Sequence, residues 1–64
     1  MPIIQVELFA GRPRDLKRKL AKELTDGFVR VCGGKPESVT VIFKDVAKED
    51  WGVAGELMAD KHPD

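Results

Sequence analysis

Hydrophobic residues change their spacing twice along this chain, and this change constrains the possible folds more than any other feature. In residues 2–9 apolar side chains occupy alternate positions, which is the period of a β-strand. A stripe then recurs at every fourth position, as in an amphipathic helix, and its members are Leu16, Leu20, Leu24 and Phe28. Residues 39–44 return to a period of two, with Val39, Val41 and Phe43 on one face. The pattern predicts an α/β fold built on a single βαβ unit with parallel strands.

Prolines and glycines mark the predicted boundaries of these elements. Pro13 suits the first turn of a helix, where its missing N–H is not needed. Gly33 and Gly34 supply the left-handed backbone that is common just beyond a helix, so the helix is expected to end there. Gly52 and Gly55 predict a short C-terminal turn or hairpin, followed by a frayed end.

The predicted unit is too small to bury its own apolar surface. A chain of 64 residues forms one domain, here residues 1–64, and a domain of this size buries only ~60% of its unfolded surface. One helix covers one face of a two-stranded sheet, whereas parallel sheets are normally buried on both faces. The uncovered face would carry Ile3, Phe9 and Ile42. Covering about 400 Å² of it would contribute on the order of 10 kcal/mol before the costs of association, so self-association is expected.

Composition excludes several classes of function. The chain carries 11 basic and 11 acidic residues, without the basic excess by which proteins displace counterions from nucleic acid. It has no apolar run of membrane-spanning length and no signal-peptide pattern. Cys32 has no second cysteine to pair with and is expected to be a small buried residue, while His62 has no neighbouring metal ligand. We therefore expect a cytoplasmic protein that binds neither nucleic acid, nor membrane, nor metal.

Pro2 is the first candidate for chemistry. If Met1 is removed, the Pro2 nitrogen becomes a secondary terminal amine. An apolar wall or a nearby cation would lower the pKa of that amine, and a base with a pKa near neutral is best placed to take and return protons. If Met1 is retained, the nitrogen belongs to an amide and cannot act as a base. The hypothesis thus depends on processing of Met1.

Arg12 and Trp51 are candidates for binding groups. The planar guanidinium of Arg12 suits a carboxylate, and Trp51 could wall an apolar pocket or simply pack in a core or interface. A strand rising ~3.3 Å per residue separates Pro2 from Arg12 by some 20 Å. If these two residues share a site, it lies between subunits whose first strands run antiparallel. The other basic residues of "RPRDLKRK" are expected to form a solvated helix face.

The order of these motifs resembles the 4-oxalocrotonate tautomerase family. The segment "PIIQVELFAGR" is similar to the family's proline-headed first strand, and "VIFKDVAKEDWGVAGEL" to its second strand and aromatic-Gly-x-x-Gly segment. The resemblance implies that Pro2 is the general base of an isomerase that needs no cofactor. It also implies that Arg12 of a neighbouring subunit holds a substrate carboxylate and that Trp51 lines the pocket. Homohexamers built as trimers of dimers are expected.

Thr40 departs from the family pattern, in which a second arginine polarises the reacting oxygen or binds a carboxylate. Lys44 lies on the same strand face but ~13 Å further along, too far for a simple replacement. The prediction is a tautomerase of small 2-hydroxy-dienoate or enolpyruvate acids, with Thr40 as a weak polar contact. The alternatives are a non-catalytic or partner-dependent subunit of a mixed oligomer, and a dehalogenase or hydratase relative. Val53 stands where the dehalogenases carry a water-activating glutamate, which makes hydration less expected than tautomerisation.

Overall fold

The structure is a computed structural model that describes residues 1–62. Its elements follow one another in the predicted order of strand, helix and strand, with a small hairpin and a final helical turn. They are β1 (Ile3–Phe9), α1 (Arg14–Cys32), β2 (Thr40–Val46), β3 (Gly52–Val53), β4 (Glu56–Leu57) and α2 (Met58–Lys61). The predicted βαβ unit with a C-terminal hairpin is confirmed.

The central sheet consists of β1 and β2, which pair in parallel from Ile3 opposite Thr40 to Phe9 opposite Val46. Side chains on the two strands alternate between two faces, as the sequence period predicts. We call the face opposite α1 the outer face, and it carries Ile3, Gln5, Glu7, Thr40, Ile42 and Lys44. The apolar residues of the other face are shielded by the helix. The helix therefore covers one side of the sheet and leaves the other open.

The helix α1 begins after Pro13 and ends at Gly33, in agreement with the boundary prediction. Gly33 and Gly34 have φ angles of 79° and 95°, in the left-handed region that favours glycine. The prediction of a buried Cys32 is wrong, because this residue is exposed. Val31 beside it is 79% exposed. A helix of 19 residues measures about 28 Å and a strand of seven residues about 23 Å, so the last turn of α1 extends past the sheet.

The segments around β2 differ in two ways from the sequence prediction. Pro36–Ser38 form one turn of 3₁₀-helix before the strand, which the sequence pattern did not predict. The tail is ordered into a hairpin whose turn holds Ala54 at φ 54° and Gly55 at φ 82°. The hairpin is followed by the short helix α2 as far as Lys61, and the last two residues, which were expected to fray, lie outside the described residues. The end of the tail therefore folds back near the carboxyl end of the sheet.

No side chain in residues 1–62 is fully buried, and no apolar core is complete within one chain. On the outer face Ile3 is 62% exposed and Ile42 is 42% exposed. Phe9, which the sequence placed on the same uncovered face, is instead shielded by Trp51 of the same chain. Within the described residues no helix has the length and apolar character needed to cross a membrane. The exposed isoleucines agree with the expectation that copies of the chain associate.

Candidate active site

Pro2 lies at the head of β1 and is half-buried. Its carbonyl oxygen accepts a 3.0 Å hydrogen bond from the backbone N–H of Thr40. This bond belongs to the first parallel pair of the ladder, which Ile3 and Thr40 form. The sheet thus fixes the carbonyl side of Pro2, while its nitrogen faces the end of the chain. Removal of Met1, which is exposed, would leave that nitrogen as an amine at the starting edge of the sheet.

Thr40 is the first residue of β2; its exposed side chain lies on the outer face next to Ile3, and its contact with Pro2 is through the backbone. The parallel register brings these two sequence candidates together within one chain. Lys44 lies four residues further along the same face, opposite Glu7 of β1. Four strand residues correspond to ~13 Å. Lys44 of the same chain therefore does not replace the missing cation beside Pro2.

Trp51 lies at the opposite end of the sheet. Its ring packs on Phe9 with a centroid separation of 4.5 Å and an angle of 54° between the planes, a tilted arrangement that aromatic pairs favour. Its backbone is held on both sides, since its N–H donates to the Lys48 carbonyl and its carbonyl accepts from the Met58 N–H. A shallow cavity of about 240 Å³ adjoins the ring and is lined by Glu7, Val46, Asp50, Trp51 and Gly52.

Arg12 lies in the connection between β1 and α1, at the same end of the sheet as Trp51. Its exposed side chain lines a mostly apolar groove between the sheet and the helix, as the stem of a long cationic side chain commonly does. Among residues 1–62 no carboxylate forms an ion pair with its guanidinium. The charged end of Arg12 is therefore open to an external carboxylate.

The structure thus divides the sequence candidates into two pairs. Pro2 and Thr40 meet at the start of the sheet, and Arg12 and Trp51 lie at its carboxyl end. The seven residues of β1 separate the two ends by about 20 Å. A single small acid cannot contact both pairs in one chain, which agrees with the expectation of a site between subunits.

Sequence reasoning missed one polar contact near Arg12. Lys17 was assigned to a solvated helix face, but its Nζ lies 2.8 Å and 2.9 Å from the two carboxylate oxygens of Asp45 on β2. The signal was present in the helical spacing, since Lys17 precedes Leu20 and Ala21 by three and four positions and so shares their inward side. A lysine on the packed side of a helix is expected to have an acidic partner, because an unpaired charge is costly to bury.

Two further residues from the sequence analysis, Val53 and His62, lie in the C-terminal part of the chain. Val53 is exposed in β3, where the dehalogenase glutamate would be needed. His62 accepts a hydrogen bond at its carbonyl oxygen from Lys48 Nζ at 3.2 Å. Within the part of the chain that the structure describes, no cluster of three or more histidine, cysteine or acidic side chains could hold a metal ion.

Comparisons with known proteins agree on one family. A family model described as tautomerase enzyme matches residues 2–61. The probable tautomerase RSp1151 of Ralstonia nicotianae is 36% identical over 61 residues, which cover 95% of this chain and 94% of that protein. The 2-hydroxymuconate tautomerase of Comamonas testosteroni is 34% identical over 55 residues, which cover 86% of this chain and 87% of that protein.

Solved structures give the same result. A 4-oxalocrotonate tautomerase homologue, TTHB242, superposes with a TM-score of 0.85 at 37% identity, over 97% of this chain and 98% of that chain. A heterohexamer 4-oxalocrotonate tautomerase from Chloroflexus aurantiacus superposes with a TM-score of 0.89 at 25% identity, over 94% of this chain and 97% of that chain. With its proline-headed first strand and its βαβ fold, the chain belongs to the tautomerase family of isomerases, among the 4-oxalocrotonate tautomerases.

Proposed function

We propose that this tautomerase interconverts the enol and keto forms of a small 2-hydroxy-dienoate or enolpyruvate acid, with Pro2 as general base and acid. The supporting observation is the position of Pro2 at the starting edge of the sheet, where the Thr40 N–H holds its carbonyl and leaves its nitrogen at the chain end. The named activity of the Comamonas relative supports the substrate class.

The reaction needs one proton to be moved between an oxygen and a carbon. In this proposal the free Pro2 amine takes the proton of the enol hydroxyl, and the electrons of that O–H bond form the ketone. The double-bond electrons then take a proton from the prolyl ammonium at carbon, which returns Pro2 to its starting state. A single group that both accepts and donates the proton contributes typically 10²- to 10⁴-fold to the rate.

The other candidates bind and orient the acid. Arg12 of a neighbouring subunit holds the substrate carboxylate through its guanidinium, which has no ion pair within residues 1–62, and Trp51 excludes water from the pocket. Thr40 offers the substrate only a neutral hydroxyl. Because charge-assisted hydrogen bonds are about twice as strong as neutral ones, a second carboxylate would gain little here. We therefore propose that monoacid enols are preferred to diacids.

The test follows the ketonisation of 2-hydroxymuconate and phenylenolpyruvate by ultraviolet absorbance, after intact mass has established that Met1 is absent. We expect the variant Pro2→Ala to lose about 10²- to 10⁴-fold in kcat/KM. The variant Pro36→Ala, which changes a proline in the turn before β2, serves as the control and should retain activity. Unchanged turnover by Pro2→Ala would exclude the mechanism.

We further propose a homohexamer arranged as a trimer of dimers, working in the cytoplasm. The exposed outer face supports association, and the single cysteine suits a reducing compartment. Thr40 favours one second candidate, a subunit that needs a different tautomerase chain to supply the missing cation, and the Chloroflexus relative is a heterohexamer. Correctly assembled protein without Met1 that turns over no enol alone would favour that candidate. The exposed Val53 gives no support to dehalogenase or hydratase chemistry.

A further inference from the structure

The ion pair between Lys17 and Asp45 differs from the other ion pairs of α1. Arg18 with Asp15, and Lys22 with Asp26, each join neighbouring turns of the same helix on its solvent side. Lys17 instead joins the first turns of α1 to β2, and both oxygens of its partner lie within 3 Å of its Nζ. This pair therefore connects two elements of the fold.

The side chain of Lys17 is more buried than those of the cations on the solvent side of α1. Its side chain is 25% exposed, compared with 76% for Lys22. Exposed ion pairs within a helix contribute little, because solvent screens them and both side chains lose entropy. Lys17 is the shielded partner, whereas Asp45 is 44% exposed, and the two short contacts from one ammonium to both carboxylate oxygens favour a single geometry of the side chains. We expect the pair to restrict where the start of α1 lies on the sheet.

The connection that carries Arg12 is anchored at both ends to the same part of β2. On one side the Ala10 N–H donates a 3.0 Å hydrogen bond to the Val46 carbonyl. On the other side Lys17 reaches Asp45, the residue before Val46. Between these anchors lie residues 11–16, of which 11–13 belong to neither a strand nor a helix. Two bonds to adjacent β2 residues thus limit the movement of this short segment.

We propose that Lys17 and Asp45 are positioning residues, which hold the Arg12 connection at the distance and angle that carboxylate binding requires. The inference rests on the proposed role of Arg12 in binding substrate. Arg12 has no ion pair of its own in the described residues, so its position depends on the segment that carries it. The Lys17 ammonium is occupied by Asp45, so it does not compete with Arg12 for a substrate carboxylate.

The kinetic test compares Lys17→Met and Asp45→Ala with the control Lys22→Met, which removes a lysine charge from the solvent side of the same helix. A displacement of about 1 Å can cost up to 10²-fold, and we expect KM to rise about 10-fold or more in both variants, with kcat nearly unchanged. A simple charge effect would move KM in opposite directions for Lys17→Met and Asp45→Ala, and that result would overturn the proposal. The exchanged pair Lys17→Glu with Asp45→Lys should recover most of the loss.

A second readout does not depend on catalysis. Exchange of the amide hydrogens of Ala10 and Leu16, which are hydrogen-bonded on either side of the Arg12 segment, should become faster in Lys17→Met and stay unchanged in Lys22→Met, with both proteins at wild-type oligomer size. If the wild type turns over no enol, the proposed function fails, and the exchange result still decides whether the pair anchors this segment. Equal protection in Lys17→Met and wild type would overturn the proposal.

Discussion

The two ends of the central sheet differ in what they hold and in how they are held. At the starting end the described structure ties Pro2 to the sheet by one backbone bond from Thr40. At the carboxyl end Phe9 packs on Trp51, and Lys17 and Asp45 join the helix to the sheet. The starting end holds the proposed base, and the carboxyl end holds the proposed binding groups.

This difference teaches how so short a chain can build a site. A base gains from an open position in which protons and substrate can reach it, whereas binding groups gain from fixed geometry. In the proposed site one chain supplies both the base and the binding groups but keeps them about 20 Å apart, the distance between the ends of β1. Only association of copies can bring the base of one chain to the binding groups of another, so folding and catalysis should depend on the same contacts.

The largest effect should come from preventing the association that brings the starting end of one chain to the carboxyl end of another. Ile42→Lys places a charge on the exposed outer face, where burial in an interface would leave the ammonium unpaired at a cost of several kcal/mol. We expect smaller assemblies in size-exclusion chromatography or light scattering, together with loss of nearly all activity.

Glu23→Gln is the control for this experiment, since it makes the same change of charge on the exposed side of α1. It should assemble normally and remain active. A fully assembled and active Ile42→Lys protein would show that the outer face is not an interface.

A smaller effect should follow from restoring a cation at the starting end. In Thr40→Arg the new guanidinium would lie on the outer face at the starting end of the sheet, and we expect it to add a charge-assisted hydrogen bond to substrate. We expect kcat/KM to rise about 10-fold for 2-hydroxymuconate and less for phenylenolpyruvate, measured in the same absorbance assay. Thr40→Ser, which keeps a neutral hydroxyl, should leave both values close to wild type. An equal change for both substrates would contradict the proposed monoacid preference.

The sequence predicted the elements wherever hydrophobic period alone decided them. Residues 3–9 and 40–46 are strands because their side chains alternate, and the helix lies between Pro13 and Gly33 as expected. The hydrophobic period could not show that α1 is longer than the sheet. It also could not show that Cys32, at the end of this helix, is exposed. It also could not show the short α2, whose single turn is too short to display a helical repeat.

The sequence allowed the candidate residues of the site to be named from their chemistry, but it did not show which of them lie next to one another. The register of β1 and β2 places Thr40 beside Pro2, a neighbour relation that two separate strands do not specify before they pair. The contact of Phe9 with Trp51 depends on the path of the tail. The positions of the glycines predicted a turn there but did not define that path. Lys17 is one of five basic residues in the segment "RPRDLKRK", and this composition indicates a solvated helix face. Only the helical spacing shows that Lys17 lies on the side of α1 that faces the sheet.

The most direct test of the shared site mixes two defective proteins. Copies carrying Pro2→Ala lack the base, and copies carrying Arg12→Ala lack the carboxylate anchor, so each protein alone should be nearly inactive. When equal amounts are unfolded and refolded together, a site built from two subunits should regain about a quarter of wild-type activity, since random assembly joins an intact Pro2 to an intact Arg12 at that frequency. A mixture no more active than the average of its two components would show that each chain works with its own Pro2 and Arg12, and would contradict the account.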